Sequence, residues 1–311
     1  MVLNQNKVSA IQNSILRTIL YFDVFNYPLT KKEIFENLDF ETTIFECENE
    51  LDELVKNGLV GTKDDFYFNR SLDPIFITKR LTANSLASDI LPIAFDCSRT
   101  IAKFPFVSGI CISGGLSKNY YDKNSDIDYF VITKANRLWL CRTLFTLFYK
   151  TLSKKNKEFY CLNYFISEAD LVIPDRNQFV ATELVYLIPT INHNLYLSVL
   201  KANSWHLKSF PNKPLYSKES CAILPNSFVR IFFEFVFSGE FGDWCDTFFL
   251  KITLKHWRRK FAEMSKEDFD LQIRSKKHVC KHHTKGYQNK VLQSFQQRIE
   301  EFGKVTQIKL E

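Results

Sequence analysis

Two carboxylates spaced two residues apart, Asp126 and Asp128, follow a pair of adjacent glycines, Gly114 and Gly115, after a spacer of ten residues. On an extended chain alternate side chains share a face, so both carboxylates project one way, their Cα atoms about 6.6 Å apart, while Ile127 points into the opposite layer. That spacing suits one shared hard cation, or two bridged cations. Two carboxylates so close repel each other when both are ionised, which a cation offsets. Upstream, Gly114 and Gly115 let backbone N–H groups approach phosphate oxygens closely. Ser113 joins that cradle, Ser117 adds a hydroxyl and Lys118 a cation. A phosphate cradle beside a two-carboxylate cation site is the equipment of metal-assisted phosphoryl or nucleotidyl transfer, where positioning and charge neutralisation supply most of the catalysis. The plain alternatives are a solvated strand end for the aspartates, an ordinary turn for the glycines and surface charge for Lys118.

These residues need strands to hold them. Alternation predicts strands over 106–113, 126–133 and 159–166, with helices over 75–104 and 137–153, an α/β unit. Before it, apolar residues at three- and four-residue spacing predict a helix over 10–22, stopped by Pro28, which biases Tyr27 towards an extended conformation. Thr30 with Glu33 has capping-box spacing for a second helix, and Thr42 or Thr43 starts a third that ends at Asn57-Gly58. A hairpin over 59–69 completes a pattern that looks like a winged helix. Helices are expected over 228–237, 244–261, 267–273 and 287–302. The expected fold is α+β, with a winged helix in 1–71, a small mixed-sheet domain in 72–215 and a helical, basic region in 216–311.

Composition narrows the partners. The net charge of +6 over 311 residues is too mild to imply nucleic-acid binding by itself. From Thr30 to Arg70 there are five basic residues against eleven acidic, so a phosphate backbone is repelled and duplex DNA is not an expected partner. From Lys251 to Glu311 there are fifteen basic against seven acidic residues. The runs Lys255 to Lys260 and Lys276 to His283 there could hold phosphates or a polyanionic acceptor; a solvated face is the alternative. His278 and His282 are four apart, but no Cys pair or acidic third ligand accompanies them, and no metal is assigned there. Arg137 and Arg142 are given ordinary helix-surface roles. The eight cysteines contain no CxxC and read as reduced structural thiols. With neither a bilayer-spanning run nor a secretory signal, the expectation is a cytoplasmic protein without a membrane partner.

The apolar strand, Gly114-Gly115, ten-residue spacer and Asp126-Ile127-Asp128 resemble the signature of the nucleotidyltransferase superfamily of the DNA polymerase beta type. Residues 159–167, Glu183-Leu184 with Ile188-Pro189, and Asn203-Ser204-Trp205 with Phe210-Pro211-Asn212 look like a poorly characterised bacterial subgroup that also carries an N-terminal winged helix. The resemblance implies Mg²⁺-dependent transfer of a nucleoside monophosphate from an NTP to an acceptor, either a protein, a small molecule, a sugar phosphate or RNA. Asp126 and Asp128 would hold the metal, and Ser113, Gly114, Gly115, Ser117 and Lys118 the triphosphate. The superfamily's third carboxylate falls at Asn163, an amide that cannot act as a base and binds Mg²⁺ less strongly than an anion. Glu168, just past that strand, is the substitute considered. If neither completes the site, the alternative is a catalytically weak nucleotide-binding sensor or protein-interaction module.

Overall fold

The computed structural model describes residues 8–152, 157–218, 221–281 and 286–310. Local signals near the N-terminus act as their chemistry dictates. Helix α1 (Ala10–Asp23) starts at Ser9, whose hydroxyl takes the N–H of Gln12 while the Gln12 side chain takes that of Ser9. Helices α2 (Lys31–Glu36) and α3 (Ile44–Lys56) open on the capping boxes Thr30/Glu33 and Thr43/Glu46. Gly58, at φ +69°, follows the end of α3 in the left-handed conformation that glycine adopts without a Cβ penalty. Strands β1 (Val60–Lys63) and β2 (Phe66–Asn69) pair antiparallel across Asp64 and Asp65, both at positive φ, the backbone of a tight two-residue hairpin.

The chain is α+β, and its main sheet is mixed. Strands β3 (Val107–Ser113), β4 (Asp128–Thr133), β5 (Cys161–Ser167), β6 (Ile188–Ile191), β7 (Ser275–Lys276) and β8 (Val279–Lys281) lie in the order β6-β3-β4-β5-β8-β7. Neighbours β4 and β5 are parallel and the other pairs antiparallel. Helix α5 (Leu138–Thr151) makes the crossover that a parallel pair requires.

Because successive side chains point to opposite faces, β4 serves two cores. On one face Cys111, Phe130 and Ile132 pack with residues of α1, α6 (Gln178–Val185), α7 (His193–Ala202) and α11 (Tyr287–Thr306). On the other, Ile127, Tyr129 and Val131 pack with residues of α4 (Ile75–Ile101), α5 and α9 (Gly239–Lys260). Burying each such large side chain contributes about 1.5–3 kcal/mol. The first core runs from Ile15 to Leu310 and so crosses both boundaries expected from sequence. Tyr21 meets Phe295 edge-on at 5.2 Å, and Arg298 pairs with Asp23 at 2.8 Å.

The region after residue 216 is mainly helical, as expected, but it also adds two short strands to the sheet. Besides α8 (Phe228–Val236), α9, α10 (Lys266–Gln272) and α11, it supplies β7 and β8, and β8 covers the edge of β5. An uncovered β5 would leave a row of backbone donors and acceptors unpaired. Helix α8 is inverted: Arg230 and Glu234 face inward, while Phe228 and Phe235 are about 80% exposed. Glu234 takes the N–H of Phe106 at 2.9 Å and pairs with Lys134 at 2.7 Å, so the polar face is tied to the loops around β3 and β4. Arg137 is likewise buried, contrary to its expected surface role, donating to the carbonyls of Phe237 at 2.8 Å and Gly239 at 3.0 Å and pairing with Asp243. Asp246 of α9 takes the N–H groups of Trp139 and Leu140 at 2.7 and 3.0 Å, capping α5 from a distant part of the chain. No helix among the described residues is long and apolar enough to cross a membrane.

Candidate functional site

Where β3 ends, the chain turns through Gly114 (φ +67°), Gly115 and a 3₁₀ turn at Leu116–Lys118. The turn is held by its own groups. Ser117 donates its hydroxyl to the Gly114 carbonyl at 2.9 Å, and the amides of Lys118 and Tyr120 both reach the Gly115 carbonyl, at 2.9 and 3.0 Å. Ser117 is therefore buried and spent on the turn, a correction to its expected role as a phosphate ligand. A Cβ at Gly114 would meet the Asp128 carboxylate, with Cγ at 3.0 Å; a Cβ at Gly115 would lie 3.0 Å from the Tyr120 carbonyl. Gly114 thus permits the close approach of this turn to β4, and Gly115 the return of the turn onto the Tyr120 carbonyl.

Strand β4 starts at Asp128, opposite Ser113 of β3 and Cys161 of β5. Asp126 lies just ahead of the strand, exposed, and Ile127 between them is wholly buried in the other layer. Both carboxylates line one cavity of about 800 Å³, together with Ser113, Gly114, Gly115 and Lys118. Asn163 lines it too, and donates its amide N–H to Asp128 Oδ1. Burial pushes the Asp128 carboxyl up to about 7; a hydrogen bond from Cys161 opposes this, and the charges of Glu183 and Asp126 reinforce it.

Two expectations change. Glu168 lies beyond the opposite end of the sheet: Asp128 pairs with Cys161 at the start of β5, and Glu168 follows Ser167 at its finish, about 20 Å away by strand rise. There its carboxylate takes the N–H of Ala135 at 3.2 Å. It cannot stand in for a third carboxylate. Instead a helix supplies an acid that single-residue reasoning missed: Glu183 of α6 lines the cavity and pairs with Lys118 at 2.9 Å. Lys118 also donates to the Gly114 carbonyl at 3.0 Å, so its ammonium sits across the glycine turn. The only early signal for Glu183 was its place in the resembling segment with Leu184.

This end of the cavity therefore faces three carboxylates, Asp126, Asp128 and Glu183, with one ammonium, Lys118. The surplus negative charge suits a hard cation, and Asp126 and Asp128 are the residues that would hold it. No group of three His, Cys, Asp or Glu side chains able to hold a metal occurs among the described residues. Asn163 would offer its side-chain oxygen as a further ligand only after its amide turns over, since its N–H now faces Asp128. Mg²⁺ keeps several waters and is commonly bound through one or two carboxylates plus substrate phosphates, so the donor set fits that ion.

The cavity's other end lies beyond β5. Lys281 of β8, Asp175 and Gln288 line it. Asp175 is gripped by Arg274 through two bonds of 2.8 and 3.0 Å, and Lys281 donates to Gln288 Oε1 at 2.8 Å. Of the basic run expected to hold anions, Lys281 lines the cavity while Lys276 is exposed beside Asp270. His282 and His283 of that run lie outside the described residues. Comparison of the chain with protein-family models, with curated proteins and with solved structures gives no match.

Proposed function

We propose that the chain binds a nucleoside triphosphate with Mg²⁺ and transfers the nucleoside monophosphate to an acceptor. The observation that carries this reading is that Asp126 and Asp128 open on the same cavity as the Ser113-Gly114-Gly115 turn, with Asp128 packed so closely that Gly114 admits no side chain. The turn and Lys118 would position the triphosphate, and Asp126 and Asp128 would hold the metal. When bound, Mg²⁺ neutralises charge on the phosphates and the leaving group. In the reaction an acceptor oxygen bonds to the α-phosphorus while the α–β bridging bond breaks, and pyrophosphate leaves with that electron pair. Asn163 cannot take the acceptor's proton, which then passes to water.

Asn163 also favours the second reading. Its N–H bond to Asp128 stands where a third carboxylate would accept a proton, which suits a nucleotide sensor that turns over slowly. Three helices followed by a tight hairpin support a winged-helix module in the N-terminal part. Its acidic surface suits a protein partner rather than duplex DNA. Free, mostly buried cysteines support a cytoplasmic protein. The test is calorimetry with ATP, CTP, GTP and UTP, each with Mg²⁺ and with EDTA, followed by incubation with α-labelled NTP and cell extract. Metal-dependent binding with a labelled acceptor is the transferase result; metal-dependent binding without label is the sensor result. Binding that ignores EDTA overturns both.

A further inference from the structure

The cavity is far larger than a phosphate turn and one cation need, and its floor has a definite order. Phe130, Tyr164 and Lys281 are in register on the adjacent strands β4, β5 and β8. Phe130 and Tyr164 stack at 5.0 Å with their rings 13° apart, an aromatic floor between the two polar ends. By strand spacing and rise, the Lys281 Cα lies about 12 Å from that of Asp128. At this far end two cations, Arg274 and Lys281, share one carboxylate, Asp175. Lys281 is 6% exposed and Arg274 8% exposed. The other nearby acid, Asp170, is exposed to solvent. One positive charge is therefore left over in a desolvated setting, which is costly unless an anion offsets it. The Tyr164 hydroxyl, also buried, has no hydrogen-bond partner among the described residues.

We propose that the Phe130–Tyr164–Lys281 floor is the acceptor subsite, and that it takes a small molecule with a flat apolar body and an anionic end, a carboxylate or a phosphate monoester. The proposal rests on the transferase reading for the word acceptor, but the binding chemistry stands apart from it. The flat body lies on the stacked rings. The anion meets the Lys281 ammonium and accepts the Tyr164 O–H. The glycine turn lies on the β3 side of Asp128, so the nucleotide's phosphates and this anion occupy opposite sides of the carboxylates.

The test uses the full chain and three probes, benzoate, phenyl phosphate and phenol, titrated by ligand-observed NMR up to about 10 mM, the range such small ligands reach. At least one anion is expected to bind ten or more times tighter than phenol, and the better anion identifies the end group. Lys281→Met should remove that preference, and Tyr164→Phe, a change that spares the ring stack, should reduce it severalfold. Asp128→Asn should leave probe binding alone while removing the Mg²⁺ dependence of NTP binding. Loss of the NTP result with the probe result intact would overturn the transferase reading and keep the anion subsite. Equal affinity for phenol and the anions, no measurable anion binding, or displacement of the probe by ATP in EDTA would overturn the subsite.

Discussion

The two ends of the cavity are built in opposite ways from similar parts. At the glycine end three carboxylates face one ammonium; at the β8 end two cations face one carboxylate. The first cluster comes largely from one short stretch, residues 113–128, with Glu183 added, and is partly open. The second is assembled from Asp175, Arg274 and Lys281, which meet only through the sheet, and is more deeply buried, though Asp175 and Lys281 still line the cavity. Charges that follow from local sequence are here the ones left accessible for exchange with solvent ions. Charges brought together by tertiary packing are buried, and here two cations share one carboxylate.

The largest expected effect is on turnover at the first end. Asp128→Asn should lower any transfer rate at least about a hundredfold, the size of losing one transition-state electrostatic contact, and calorimetry should show NTP binding that no longer responds to EDTA. At the second end Asp175→Asn leaves Arg274 and Lys281 buried without their anion, and urea unfolding should show a loss of about 3 kcal/mol. If that loss is under about 1 kcal/mol, the buried pairing of Asp175 with the two cations is not what holds this end.

Gly114→Ala puts a Cβ at φ +67° and against Asp128. A destabilisation of about 1–3 kcal/mol is expected from the backbone strain, read by thermal melts, with NTP affinity falling in parallel. The smallest effect is in pH. Asp128 titrates at about 7 in the folded chain, above an ordinary carboxylate at 3.8. The native state thus binds that proton more readily than the unfolded chain does, and the metal-free protein gains stability as pH falls from about 7 towards 4. Denaturation of wild type and Asp128→Asn in EDTA across this range should show the gain in the wild type and its absence in the variant. Mg²⁺ should diminish it, since the cation competes with the proton.

What was legible in the sequence was legible for local reasons. Thr30 with Glu33, Thr43 with Glu46, and Asn57-Gly58 are governed by neighbours within one turn, and the helices begin and end there. The alternation of Tyr129 and Val131 with Asp128 and Phe130 put Asp128 on the face opposite the former pair because period two is a property of the strand itself, while Asp126, just ahead of the strand, opens on the same cavity. Glu168 was misplaced because closeness to a strand in sequence does not say which end of the sheet it joins. Strands β7 and β8 escaped notice because two and three residues carry too little pattern; the open edge of β5 makes them strands. The apolar period of α8 is real, yet it points outward, because Lys134 and the backbone of Phe106 engage Glu234. Lys281 was marked only as part of a basic run and Tyr164 only as part of a strand, and nothing in the sequence joins them to each other or to Asp175.

The shared core of α1 and α11 sets a timetable for a chain emerging from the ribosome. Helix α1 can form as soon as its own residues are free, since Ser9 and Gln12 cap it locally. Its outer aromatic, Tyr21, gains the ring of Phe295 only after all six strands of the main sheet have been made. Until then the N-terminal helices carry an uncovered apolar stripe, the kind of surface that invites premature association during synthesis. Nascent chains that end before Tyr287 or after Gln307, each followed by a linker that clears the ribosomal exit tunnel, should therefore differ in protease resistance at the N-terminal helices, far from the point of stalling.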